Sequence, residues 1–177
     1  MKHPATPRLA WALTGSGHYL QECLDLVESR TDVDLFVSRA AAEVLSMYGI
    51  DLKRLRERLP CYHDTTASAP AVGRFYQGVY SRLVVAPATS NTVAKMVCGI
   101  SDTLVTNIYA QAGKCRVPSI VFACDTAPAL ETAAPGGQVM VYPRRVDLAN
   151  VERLHGFEYT TVVDSVAALV AALATPA

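Results

Sequence analysis

Residues 83–107 read LVVAPATSNTVAKMVCGISDTLVTN, and the order of chemistry along that stretch decides the fold. It opens on an apolar run, 83–86, too short for a helix and followed by Pro87. This is the pattern of a buried strand that stops where proline removes a ladder donor. The next residues, Pro87, Ala88, Thr89, Ser90, Asn91 and Thr92, carry hydroxyls and an amide suited to capping a helix that buries Val93, Met96, Val97 and Ile100. In open α/β sheets the ligand crevice lies beyond the carboxyl ends of the strands, so a polar, proline-rigid turn there reads as a recognition loop. The plainer reading is an ordinary strand-to-helix turn.

The same alternation extends in both directions. Upstream, the apolar run 9–13 ends at Thr14-Gly15-Ser16-Gly17, and a helical pattern follows with Leu20, Cys23, Leu24 and Val27 on one face. Residues 33–37 form a second strand, with Ser38 as N-cap of a helix burying Ala41, Val44, Leu45 and Tyr48. A charged short helix over 51–59 ends at Pro60, a third strand lies near 61–63, and the small polar residues of 65–70 suit a mobile loop. Residues 72–80 read as a helix entering the central strand, with Phe75, Tyr76 and Tyr80 as core or interface aromatics. Downstream, 102–113 reads as helix, 119–123 as the fifth strand and 139–142 as another. Asp147 and Asp164 serve as N-caps of the last helices, over 147–154 and 164–173. The expected fold is α/β, a doubly wound, mostly parallel sheet flanked by helices, in one domain over 1–177.

Composition narrows the function classes. With 177 residues the chain is large enough to bury about two-thirds of its unfolded surface in a single core. Its 51% hydrophobic and 18% charged content is apolar enough to predict surface covered by neighbouring subunits. Sixteen basic and sixteen acidic residues cancel, leaving no basic field for nucleic acid or an anionic membrane. The five cysteines are odd in number, scattered and without metal-ligand spacing, as expected of thiols in a reducing cytoplasm. The N-terminal segment lacks a signal-peptide core, and no run approaches the roughly 20 apolar residues of a membrane helix.

At Gly15, Ser16 and Gly17 two glycines allow close backbone approach to an anion, and the helix that follows presents unpaired N–H groups and a positive dipole end. The third glycine of the dinucleotide fingerprint is missing, which favours a mononucleotide phosphate. His18 either lies near that ligand or merely starts the helix. Asp125, after the fifth strand, either accepts from a ligand amide edge or caps a turn, and Cys124 has no histidine nearby in sequence. No P-loop lysine frame and no Ser-His-Asp pattern occurs, so the hard chemistry falls to a cofactor.

The segment Pro87 to Thr92, continued by Lys95, Gly99, Asp102 and Leu104, resembles the flavin-binding signature of the homo-oligomeric flavin-containing cysteine decarboxylase superfamily. The opening TGSGH at 14–18 and the run SRAAAEVL at 38–45 are most similar to its archaeoflavoprotein and dihydromethanopterin reductase branch. The resemblance covers nearly the whole chain. It implies a Rossmann-like flavoprotein fold with FMN as cofactor, its phosphate cradled at Gly15, Ser16 and Gly17 with His18 next in the chain, Ser38 beside the phosphate or the ribityl chain with Arg39 adding charge, and Pro87 to Thr92 as a polar flavin-binding rim. It also implies a trimer-based homo-oligomer, in some relatives a larger shell, with Thr103, Thr106 or Asn107 of one chain completing the site of another.

Two departures separate the chain from the decarboxylases. The position of their upstream histidine falls here on Gly73, with no histidine between His63 and His155, and their substrate clamp is replaced by ACDTAPALETAAPGG at 123–137. The implied activity is hydride transfer to a dihydropterin, dihydromethanopterin to tetrahydromethanopterin in one-carbon metabolism, with NAD(P)H or a ferredoxin-like protein as electron donor. Alternatives are an electron-transfer flavoprotein serving ferredoxin, a decarboxylase or prenyltransferase relative, and a flavin-storing shell without turnover.

Overall fold

Apolar side chains alternate so regularly along the strands that one sheet divides the core in two. The computed structural model describes residues 7–66, 69–134 and 136–176. Six parallel strands form the sheet: β1 (Arg8–Leu13), β2 (Val33–Val37), β3 (Cys61–His63), β4 (Tyr80–Ala88), β5 (Ser119–Ala123) and, further along the chain, β8 (Thr160–Val163). Their order is β3-β2-β1-β4-β5-β8. The chain thus winds outward from β1 to one edge, returns to the centre at β4, and winds out to the other. The reversal between β1 and β4 opens a crevice at their carboxyl ends.

One face buries Trp11, Leu13, Leu35, Val84 and Phe122 under α1 (Leu20–Glu28), α2 (Arg39–Met47), α3 (Leu52–Arg58) and the last helix, α8 (Val166–Ala174). The other buries Ala10, Phe36, Leu83, Val85 and Val121 under α4 (Gly73–Tyr76), α5 (Ser90–Val97), α6 (Leu104–Lys114) and α7 (Arg145–His155). A separate antiparallel hairpin, β6 (Leu130–Ala134) with β7 (Gly137–Val141), stands outside the sheet. Among the described residues no helix is long and apolar enough to cross a membrane.

Several local expectations are corrected. β4 does not stop before Pro87 but runs to Ala88, because the ladder to β5 shifts register between Val85 and Ala88 and leaves Pro87 opposite no acceptor. The carbonyls freed there are taken by β1: the Trp11 indole donates to Ala86 at 2.8 Å, and the Thr14 hydroxyl to Pro87 at 2.7 Å. Ile100 is 47% exposed rather than buried, because α5 ends at Val97 and Gly99 turns the chain at φ +70. The helix expected over 72–80 is only α4, since Gly78 turns at φ +67 and Tyr80 already belongs to β4. Phe75 and Tyr80 are buried as expected, whereas Tyr76 faces water.

Helix α6 begins at Leu104, two residues late, because Thr103 takes the cap. Asp147 is not an N-cap: it sits inside α7, where its carboxylate accepts from the Arg144 backbone N–H and guanidinium. The cap of α8 is Ser165, one residue past Asp164, accepting from Ala168 N–H at 3.2 Å. Strands β6 and β8 carried too few apolar residues to be read from the sequence. The loop expected over 65–70 contains Ala67 and Ser68, which lie outside the described residues.

Candidate functional site

The carboxyl end of the sheet holds a cleft of about 590 Å³ at the β1–β4 reversal. Three helices begin at its wall, and each start is organised by a local hydroxyl. Ser38 accepts from Ala41 N–H at 3.0 Å to cap α2, Thr89 from Thr92 N–H at 3.3 Å to cap α5, and Thr103 from Thr106 N–H at 3.2 Å to cap α6. Each cap satisfies one donor of its first turn, leaving other N–H groups and three positive dipole ends directed at one space. Arg39 adds a full charge and pairs with no carboxylate among the described residues. Such a wall suits a phosphate.

Close approach of the β1 loop completes the wall. A Cβ built on Gly15 would stand 2.6 Å from Ala40 Cβ and 3.2 Å from its carbonyl carbon, so only glycine lets α2 start this near the loop. Opposite, Lys95 on α5 meets both carboxylate oxygens of Asp102 at 2.8 and 2.9 Å, an ion pair bracing the corner between α5 and α6. That hydrogen bond holds the Asp102 carboxyl below the usual carboxylate range. Glu43, Asp64, Thr65 and Thr66 finish the lining, so the start of the loop expected over 65–70 contributes to the cleft.

Of the twelve residues singled out from the sequence, the cleft gathers Gly15, Ser38, Arg39, Thr89, Asn91 and Thr92. The other six hold the rim from behind or face elsewhere. The Pro87 carbonyl accepts from Thr14, whose hydroxyl oxygen in turn accepts the Thr89 N–H at 3.0 Å. Ala88 is fully buried, and its carbonyl accepts from Cys124 N–H at 3.0 Å. Ser90 turns its hydroxyl to the Asp125 carboxylate. Buried Ser16 donates to the His18 carbonyl at 3.2 Å and accepts from the Cys124 thiol at 3.3 Å. Burial pushes that thiol up to about 12, which keeps it protonated and inert. Gly17 and His18 line a second, smaller cleft on the far side of the loop.

Asp125 therefore closes the β5 loop onto α5 rather than lining the cleft. Lys95 and Asp102 were legible only as parts of the signature, Thr103 only as a residue the resemblance assigned to a neighbouring chain's site, and Thr65 and Thr66 only as the start of the loop expected over 65–70; Asp64 carried no sequence signal beyond polarity. Ala40 and Glu43 enter because α2 begins at the wall.

Comparison with known proteins gives a consistent picture. The family model described as Flavoprotein matches residues 2–175. Two structures of Burkholderia xenovorans DmrB, described as a cubic protein cage for redox transfer, in apo form and in complex with FMN, are 52% and 53% identical; each aligns over 96% of this chain and 94% of that chain with a TM-score of 0.88. The dihydromethanopterin reductase (acceptor) of Methanosarcina mazei is 40% identical over 141 residues, 72% of this chain, and the chain spans only 59% of that relative's length. An uncharacterized protein of Methanocaldococcus jannaschii is 38% identical over 89% of both chains.

Proposed function

The chain belongs to the Flavoprotein family, and from that premise we propose that it is an FMN-dependent reductase that transfers a hydride to a dihydropterin, dihydromethanopterin being the substrate its relatives point to. The observation that carries this reading is the convergence of three capped helix starts and Arg39 on the Gly15 corner of a cleft about 590 Å³ in volume. That wall fits a mononucleotide phosphate, and the volume lies within the range of small-molecule and cofactor sites. The relative in complex with FMN, 53% identical, supports the same cofactor.

In this reading the backbone N–H groups of α2 and the Arg39 guanidinium hold the phosphate, while Thr89, Asn91 and Thr92 provide the polar rim. When bound, FMN supplies the two-electron chemistry that the acid-base groups of this chain do not provide. In the net reaction the C=N bond of the dihydropterin gains a hydride at carbon and a proton at nitrogen, at the expense of an electron donor, NAD(P)H or a ferredoxin-like protein. Lys95 and Asp102 fix the distance between α5 and α6 and so the width of the cleft. Assembly of several copies fits the apolar side chains of Val139, Met140, Tyr142 and Val146, exposed on the hairpin and the start of α7. It is also how the Burkholderia relative is described.

A visible spectrum tests the cofactor. Purified protein is expected to be yellow, to bleach anaerobically with NADH or NADPH, and to regain colour on addition of dihydromethanopterin. Bleaching only by reduced ferredoxin, with no response to the pterin, would replace the reductase by an electron carrier, a reading favoured by the relative's description as a cage for redox transfer. A colourless protein that takes up no added FMN would end both.

A further inference from the structure

Two cations line the cleft at the carboxyl end of the sheet, and they reach it from opposite faces. Arg39 comes from α2 on one face, beside the Gly15 corner; Lys95 comes from α5 on the other, with Thr103 and Val105 of the neighbouring α6 start. The Lys95 ammonium meets both oxygens of Asp102 at 2.8 and 2.9 Å, but the partners are unequally placed. The lysine side chain is 23% exposed and the carboxylate 55%. Water and salt screen the more exposed charge better, so the field left in the cleft at this wall is positive. The other carboxylates of the lining, Glu43 on α2 and Asp64 just after β3, belong to the glycine side.

Apolar contact points to the same wall. Apart from Ala40, Val105 is the only apolar side chain lining the cleft among the described residues. With a phosphate at the Gly15 and Arg39 corner, the ring system of a mononucleotide is left the wall of Val105 and Lys95. We propose that Lys95 sets the reduction potential of the flavin, its half-buried ammonium favouring the reduced ring over the oxidised one. The inference rests on the FMN reading. A neutral oxidised ring that accepts a hydride gains one negative charge, whether the hydride leaves a nicotinamide whole or is assembled from two electrons and a proton. A fixed cation beside the ring therefore stabilises the reduced state more than the oxidised one, and Asp102 tempers that preference. Lys95 acts here through its charge and transfers no proton.

The same ion pair braces α5 against α6, and two substitutions separate the roles. Lys95→Met and Asp102→Asn both break the pair, yet they change the charge beside the ring in opposite directions. The experiment is an anaerobic titration of the FMN-loaded proteins against redox dyes of known potential, read from the flavin spectrum. Lys95→Met should weaken the preference for reduced over oxidised FMN about tenfold, lowering the potential by about 30 mV for a two-electron couple. Asp102→Asn should strengthen it about threefold, raising the potential by about 15 mV, and Lys95→Arg should stay close to the unchanged protein. Asp102 is exposed, so its replacement threatens the fold least and decides the sign by itself if Lys95→Met does not fold. Shifts of the same sign in both variants, or a potential that Asp102→Asn leaves in place or lowers, would overturn the proposal and leave the pair as a brace. Failure of the unchanged protein to take up FMN would instead strike the cofactor reading.

Discussion

Gly15 shows how much one hydrogen atom can decide. With Ala40 Cβ standing 2.6 Å from the place where its own Cβ would be, Gly15→Ala forces the β1 loop away from α2 and so opens the phosphate wall. The expected outcome is a clear loss of flavin per chain, read from the visible spectrum, and partial recovery in the double variant Gly15→Ala, Ala40→Gly. Recovery is the informative arm, because a loss caused by anything other than this contact would persist. A turn glycine was legible in TGSG; the partner that makes it indispensable lies 25 positions away and was not. His63 makes a different point. Its Nε2 is buried without a partner, and burial, reinforced by Arg56, lowers its titration below the ordinary 6.5. The unfolded chain therefore takes up this proton before the folded one as pH falls, so stability present above 6.5 is lost as pH drops through 6.5 toward the folded value. His18 titrates in the same direction and adds to the loss. Thermal unfolding followed from neutral to mildly acid pH should show a fall in Tm that is shallower in His63→Gln.

At the scale of the element, the bend of β4 at Pro87, where its ladder to β5 shifts register, is held from the end of β1. The Thr14 hydroxyl donates to the Pro87 carbonyl at 2.7 Å and accepts the Thr89 N–H at 3.0 Å, joining the strand's last bend to the cap of α5. Thr14→Val keeps the shape and strands both groups, which should cost about 1–3 kcal/mol in urea unfolding and weaken flavin binding together with it. Thr89→Ala removes only the cap and should cost about 1 kcal/mol. If Thr14→Val changed stability by no more than about 0.5 kcal/mol, in the range of an ordinary surface substitution, Thr14 would not be what holds the bend. Expectations from local chemistry fared well here for α1, α2 and α5, whose buried faces repeat at the helical period, and the starts of α2 and α5 carry good caps as well. They fared poorly for β6 and β8, where alternate residues are exposed and the pairing partner is distant.

For the whole molecule, the end of the sheet opposite the cleft is fastened by a single buried carboxylate. Asp34 on β2 is fully buried and takes the Arg8 guanidinium of β1 at 2.6 Å, Arg74 of α4 at 3.1 Å and the Tyr80 hydroxyl of β4 at 2.8 Å. Burial and the neighbouring carboxylate push the Tyr80 phenol up, so it remains a donor. Asp34→Ala would leave two partly buried guanidinium groups without their counter-charge and should destabilise by about 3–5 kcal/mol, measured by chemical unfolding. Because the network lies at the far end, flavin content in the folded fraction should stay at the level of the unchanged protein. The single FMN-binding domain proposed for 1–177 makes its own prediction: FMN at about 100 times its dissociation constant should raise the stability of the whole chain in one transition by about 2.7 kcal/mol.

What the amino-acid order determined unaided was the alternation of strand, polar turn and helix, which implied a doubly wound sheet, and the signature on which the flavin expectation rested. The alternation depends on periodicity and capping within a few neighbouring residues, and the signature on one continuous segment. Only the tertiary structure decided which hydroxyls face the cleft, that Ser90 closes onto Asp125, and that the TGSGH corner divides between two clefts. The reason is physical. Those outcomes are set by contacts such as Gly15 with Ala40, Thr14 with Pro87 and Tyr48 with Ala133, and nothing local to either partner encodes the approach of the other.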